Sequence, residues 1–514
     1  MLRNVMTVGF WTLMSRILGM LREVMLYALI GAGPVLDAFI AAFRLPNMFR
    51  RFTAEGAFNA AFVPMFSKRV EADDNPIGFA NQAMGSLGFV LLILTALAMI
   101  FMPLFIWATA SGFSDDPRFD LSVDYARVMF PYILFISLAA LISGALNSID
   151  KFAVAAAAPV LLNIIIIAAL GTSWMIGGSA ITFLIWSVPA AGILQLGLVW
   201  HHARQNGLNL TLARPRFSPE MKHLLIVATP AALANGVVQI NLLVGQLVSS
   251  QQVGAISWLY GADRLYQLPL GVVGIAVGIV LLPELSRHLK SGDEGAAKEA
   301  LSNGAFFTAA LSFPATVALF VIPLPLAAAL YGYGQNTIAD VQAIALATAI
   351  YALGLPAFML QKLQQPLFFA REDTKTPFRW AVVSMVINAI VAIGLWPALG
   401  WLSPAIATVI SSWAMVGLLH ISSRAFGDVA RVKSETMTKI GRVTIASVAM
   451  GVVLGTAQYS VGGYFTNGVA QFFWAVILVA LGATAYIFFA RLCGAFRLAE
   501  LRGAMRRYTN FNRV

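Results

Sequence analysis

Eight basic residues fall where the chain should be apolar. Arg16 and Arg22 lie in the first long hydrophobic stretch, Arg44, Arg50 and Arg51 in the second, and Arg264 in the eighth, with Arg127 and Lys362 near the ends of two others. The acids in such stretches are Glu23, Asp37, Glu55, Asp124 and Asp263. Five carboxylates cannot neutralise eight bases. At a lipid-facing helix centre each base would cost about 2.5–3.5 kcal/mol, so the deep ones must face a bundle interior or water; Arg127 and Lys362 are placed to snorkel. A chamber with excess positive charge and low-dielectric walls attracts an anion, and the guanidinium fork suits phosphate oxygens.

Helical geometry orders these residues only in part. At 100° per residue Asp37, Arg44 and Arg51 share one face, with Glu55 a turn beyond. Pro46 leaves the phase after it open, so either Arg50 or Arg51 is the inward residue. Arg16 and Arg22 are six apart, about 240° around a straight helix, and reach one chamber only if the helix bends, for which Gly19 stands between them. Arg264 has Tyr260 one turn before it and Gln267 three residues after.

The elements that must carry these charges follow from composition. The chain has 514 residues, of which 59% are hydrophobic and 11% charged, with a mean hydropathy of +0.79. Soluble domains are about a quarter charged, so an ordinary soluble enzyme is excluded and an all-α polytopic membrane protein is expected. About 20 apolar residues span a bilayer core. Such runs number about fourteen, near 5–30, 36–66, 79–110, 122–149, 153–175, 179–203, 218–249, 254–286, 300–329, 341–370, 378–397, 401–423, 437–460 and 468–493. The alternation of a membrane barrel is absent.

The connections divide by charge. The N-terminus, the even-numbered loops and the C-terminal tail hold twenty-five lysines and arginines, and the odd-numbered loops hold Arg118 alone, beside Asp115, Asp116 and Asp120. The positive-inside rule then places both termini in the cytoplasm. It also accounts for most of the +11 net charge without nucleic acid. Cys493 is the sole cysteine, so no disulfide forms within the chain. No phosphate loop, HExxH, dinucleotide fingerprint or GxSxG occurs, and the five histidines form no metal-spaced set.

The chain repeats itself. AFRL at 42–45 leads to FVPMFSKR at 62–69, and ADRL at 262–265 leads to LLPELSRH at 281–288. Pro131 precedes Asn163 by 32 positions, as Pro356 precedes Asn388. Both pairings lay spans 1–6 over spans 7–12. The expected organisation is an N-terminal lobe at 1–210, a second lobe at 211–430, and two further spans with a basic tail at 431–514. Transporters built this way hold substrate near the midplane between repeats.

The stretch SRILGMLREVMLYALIGAGPVLDAFIAAFRLPNMFRRFTAEGAFNAAFVP at 15–64 resembles the signature of the MurJ/MviN family, lipid II flippases of the multidrug/oligosaccharidyl-lipid/polysaccharide exporter superfamily. SWLYGADRLYQLPLGVVGIAVGIVLLPELS at 257–286 and REDTKTP at 371–377 match as well. The resemblance implies that undecaprenyl-pyrophosphate-linked disaccharide-pentapeptide is carried from the cytoplasmic to the periplasmic leaflet of a bacterial inner membrane by alternating access. It implies two six-helix lobes around a cationic cavity lined by Arg16, Arg22, Arg50 and Arg264, with Arg50 chosen over Arg51 by the motif. Asp37, Glu55, Arg51 and Ser257 would support that cavity. Gln267 stands where some relatives carry a glutamate, so this chain has no proton-carrying acid at that position. Spans 13 and 14 would form a groove for the polyprenyl tail.

No catalytic residue, metal or cofactor is expected, and the resemblance allows coupling to membrane potential or a monovalent cation. Expected partners are lipid II, membrane lipids and the cell-wall synthesis machinery. The rivals are a polysaccharide-unit or multidrug exporter of the same superfamily and an integral-membrane polyprenyl-phosphate transferase. A multidrug exporter would be expected to show an acidic, aromatic cavity. A transferase needs clustered metal-binding acids, for which Asp73–Asp74 and Glu372–Asp373 are the nearest candidates.

Overall fold

The computed structural model describes residues 2–53, 57–216, 218–464 and 468–495. Its secondary structure is helical, with no strand among the described residues. By contacts the chain forms two compact units, Met1–Ser257 and Trp258–Val514. Nine helical stretches among the described residues are long and apolar enough to cross a membrane.

The first unit contains α1 (Leu2–Ile30), α2 (Pro34–Thr53), α3 (Ala57–Ala72), α4 (Pro76–Ile100), α5 (Met102–Thr109), α6 (Arg118–Met129), α7 (Tyr132–Asn147), α8 (Ala153–Ile176), α9 (Ala180–Gln205) and α10 (Pro219–Ser249). Helix α11 (Ala255–Lys290) begins in this unit and continues into the next. The second unit adds α12 (Glu294–Val321), α13 (Pro323–Tyr331), α14 (Ile338–Phe369), α15 (Lys375–Leu399), α16 (Ser403–Ser423), α17 (Ser434–Val461) and α18 (Gly468–Leu492).

The expected span 36–66 falls on α2 and α3, either side of residues outside the description, and three others are each two helices whose breaks proline explains. Pro103, Pro131 and Pro323 sit at the joints α4/α5, α6/α7 and α12/α13. A proline cannot donate to the preceding turn and its ring clashes with the carbonyl four residues back. Elsewhere the helix tolerates it by re-partnering that carbonyl. Pro314 lies inside α12, and the Ala310 carbonyl it frees accepts from Tyr486 Oη at 2.8 Å.

The basic end of the first unit is held by an aromatic cluster. Phe62 stacks on Phe66 and Phe79 at 5.4 and 5.7 Å, packed with Leu146, Val199 and Leu210. In the second unit α17 and α18 pack against α12 and α13 through Ile322, Met450, Leu454, Trp474 and Leu478. The outer faces of α17 and α18, including Val452, Phe473 and Phe488, are bare apolar surface.

Candidate functional site

A cavity of about 470 Å³ opens inside the first unit, within the size range of small-molecule sites. Ser15, Gly19 and Arg22 reach it from α1, and Arg50 from α2. The opposite wall is neutral and polar, with Tyr132, Ser143 and Asn147 of α7, Asn163 of α8 and Gln195 of α9.

Arg22 is oriented from two sides. Its Nη1 donates to Asn163 Oδ1 at 3.0 Å and its Nη2 to Glu23 Oε1 at 2.5 Å. Asn163 is fixed in turn by donating from Nδ2 to the Ser15 carbonyl at 3.0 Å. Arg50 is steadied within its own helix by donating from Nε to Asn47 Oδ1 at 3.0 Å. Among the described residues that line the cavity two are guanidinium groups and none is a carboxylate, with Glu23 adjoining Arg22. Tyr132 Oη donates to Gln195 Oε1 at 3.3 Å, and Gln195 Nε2 to the Ala158 carbonyl, tying the neutral wall together.

The remaining expected residues fall elsewhere. Helix α1 runs unbroken through Gly19, so the six-residue offset keeps Arg16 on an exposed face outside this cavity's wall. Arg51 is exposed, and Arg44 Nη1 donates to the Leu242 carbonyl of α10 at 2.9 Å. Glu55 lies outside the described residues. Arg264 belongs to the second unit, with its guanidinium 4.4 Å from the Tyr260 ring centroid and its Nη2 donating to Tyr260 Oη at 2.8 Å. Gln267 donates to Asp263 one turn back.

Asp37 and Ser257 form a second centre in the first unit. Asp37 is fully buried and accepts from Gly254 N at 2.6 Å, Ser257 N at 2.9 Å and Ser257 Oγ at 2.8 Å. The carboxylate therefore caps the start of α11 from a distant helix, supplying acceptors for its orphan amides. Arg118 adds Nη1 at 3.3 Å to Asp37 Oδ2 and Nη2 at 3.0 Å to Asp116 Oδ2. Its guanidinium also lies 4.3 Å from the Phe113 ring centroid. Ser257 Oγ accepts from Gly33 N, where the turn after α1 has φ +146° and requires glycine.

Arg118 is the residue that sequence reasoning passed over. Its signal was present, as the one base on the acidic side, but it read as a loop charge. Asn163 was visible as half of a repeated pair, without its tie to Arg22. Its counterpart Asn388 is also buried, and its Nδ2 donates to Thr408 and Ser411 of α16.

Comparison with known proteins gives the family of the chain. The family model for lipid II flippase MurJ matches residues 26–480. A probable lipid II flippase MurJ of Rhizobium tropici is 43% identical over 461 residues, covering 88% of this chain and 86% of that protein. One from Rickettsia prowazekii is 36% identical, covering 81% and 83%. A solved lipid II flippase MurJ in an inward closed conformation matches with a TM-score of 0.80 at 26% identity, covering 94% and 98% of the two chains. An inward-facing multidrug resistance MATE family transporter shares the fold, with a TM-score of 0.67 at 16% identity over 80% of this chain and 94% of its own. The chain is a multi-pass membrane protein and belongs to the lipid II flippase MurJ family.

Proposed function

We propose that this chain moves lipid II from the cytoplasmic to the periplasmic leaflet of a bacterial inner membrane by alternating access. The observation that carries the reading beyond family membership is the meeting of Arg22 and Arg50 in one cavity of a membrane-embedded bundle. Such a wall suits a diphosphate, whose oxygens accept paired N–H donors. It repels the cations that a multidrug exporter would take. Arg16 and Arg264 supply further positive charge for the headgroup at other stages of the cycle, while the polyprenyl tail stays in lipid along α17 and α18. No covalent bond is made or broken.

The cycle returns the emptied cavity, and a net positive charge there couples that return to the membrane potential. One charge crossing 100 mV is worth about 2.3 kcal/mol. A monovalent cation is the alternative coupling species. Both termini face the cytoplasm, where twenty-five basic residues of the termini and even-numbered loops meet anionic lipid. Contact with the cell-wall synthesis machinery places product delivery beside its use.

The test is headgroup accessibility of lipid II in cells depleted of the protein and lacking any other flippase. Outer-leaflet lipid II should fall and return when the wild-type chain is restored. Restoration by Arg22→Ala and Arg50→Ala at normal expression would remove the cavity from the reading, and unchanged outer-leaflet lipid II on depletion would remove the function.

A further inference from the structure

The segment joining α9 to α10 has no regular secondary structure over residues 208–216, yet it is pinned along its length. Trp200 Nε1 donates to the Leu210 carbonyl at 3.1 Å, and Thr211 N donates to Asn81 Oδ1 at 2.7 Å. Gln82 Nε2 and Ser86 Oγ both donate to the Arg216 carbonyl, at 3.3 and 3.2 Å. Leu208 and Leu210 are buried in the phenylalanine cluster. At the crossing the backbone lies flush on α4, where a Cβ at Gly85 would collide with the Ala213 carbonyl.

This strap turns a chosen set of side chains outward. Leu212 is 55% exposed, and Arg214 and Arg216 are exposed beside it. Neither arginine makes an ion pair among the described residues, whereas nearby Arg69 is held by Asp74 and Glu220. The strap stops where the bare apolar face of α4 starts. Helix α4 is covered through Gly88, which Leu212 reaches, and then exposes Phe89, Val90, Leu92 and Ile93. At 1.5 Å per residue, the bonds to Gln82 and Ser86 place Arg216 about 5–10 Å from Phe89 along the helix. That is headgroup depth below an acyl-facing surface.

We propose that the strap is a binding site for an anionic phospholipid of the surrounding bilayer. Arg214 and Arg216 take the headgroup phosphate through their guanidinium forks, and Leu212 lies against the first part of an acyl chain. A flexible basic loop would lose much of this attraction to ordering; here the backbone is already fixed by four hydrogen bonds and one close crossing. The strap contributes no residue to the wall of the Arg22–Arg50 cavity, so the site stands apart from the proposed substrate.

The test uses the purified full chain in detergent, titrated with dioleoylphosphatidylglycerol or dioleoylphosphatidylcholine and read by native mass spectrometry. A basic residue at an anionic surface is worth about fivefold in affinity, so R214Q/R216Q should bind the anionic lipid about 25-fold more weakly and the zwitterionic lipid unchanged. Both side chains are exposed, so the variant keeps the wild-type unfolding midpoint. G85A retains every charge but lifts the strap, and should lose the same preference. Equal binding of phosphatidylglycerol by wild type and R214Q/R216Q would overturn the proposal. So would an equal loss of undecaprenyl diphosphate binding in R214Q/R216Q, which would make the strap part of the substrate site.

Discussion

Two arginine–carboxylate pairs in the first unit differ in what they leave accessible. Arg118 and Asp37 expose 2% and 0% of their side chains, and four donors converge on the carboxylate. Arg22 and Glu23 expose 17% and 4%, and Arg22 borders a cavity. The first pair joins α2, α6 and the turn into α11, and its chemistry is spent on holding those elements. The second keeps a guanidinium at a wall where an anion can arrive. Burial of charge is thus no sign of function by itself, because the residual access of the base separates a pair sealed in the fold from one that can still meet an anion.

That distinction is open to breakage, most strongly at Asp37. Asp37→Ala removes the buried partner of Arg118, leaving it the outer carboxylate of Asp116, and strips acceptors from the start of α11. Loss of one member of a buried pair costs about 3–5 kcal/mol, read as a lowered denaturation midpoint in detergent. Asp37→Asn combined with Arg118→Met should cost less than Asp37→Ala alone. If the double variant is the worse of the two, the buried charge is not what destabilises.

The cavity side should divide stability from binding. Arg22→Ala removes a charged donor from the buried Glu23 and should lower stability by about 3 kcal/mol as well as weakening undecaprenyl diphosphate. Adding Glu23→Gln should restore the midpoint and leave binding weak. Arg50 donates to Asn47, a neutral residue of its own helix. Arg50→Ala should therefore weaken the diphosphate by 1.5–3 kcal/mol, or about 10- to 150-fold, with the midpoint unmoved. Calorimetric titration checks both, and a normal affinity in Arg50→Ala would end its role as a ligand.

The sequence showed the cost of Arg22 and Arg50 because a guanidinium in an apolar helix stands out against its neighbours. It did not show the neutral wall, since Ser15, Tyr132 and Gln195 are unremarkable in any membrane helix and acquire meaning only from packing. Helical phase could not choose between Arg50 and Arg51 across Pro46; α2 continues through that proline, with Arg50 on the cavity and Arg51 exposed. Arg118 was not legible as a partner of Asp37, because 81 residues separate them and no periodicity encodes that register.

The repeated asparagines offer a finer form of the same comparison. Asn163 serves a charge, accepting from Arg22 while donating to Ser15, and Asn388 serves only hydroxyls. A hydrogen bond to a charged group contributes about 1.5–3 kcal/mol and a neutral one about 1 kcal/mol. Asn163→Ala should therefore be the more damaging by about 1 kcal/mol, and it alone should weaken diphosphate binding. Equal losses of stability with normal binding in both would show that Asn163 fills space and does not aim Arg22.

The smallest expected effect lies at the outer arm of Arg118. Asp116 is pushed up by partial burial, the largest single influence, but the hydrogen bonds and charge of Arg118 together outweigh it and hold its pKa below the usual 3.8. A depressed folded-state pKa stabilises the fold fully above the unfolded value, and that contribution disappears as pH falls through the folded one. With its side chain 26% exposed, Asp116 should contribute no more than about 1 kcal/mol. Wild type should thus exceed Asp116→Asn in denaturation midpoint at pH 5, and the gap should close below pH 3.8. Asp37, sealed behind Arg118, has no solvent path of this kind, so a gap that persists at low pH would mean that the outer arm is as closed as the inner one.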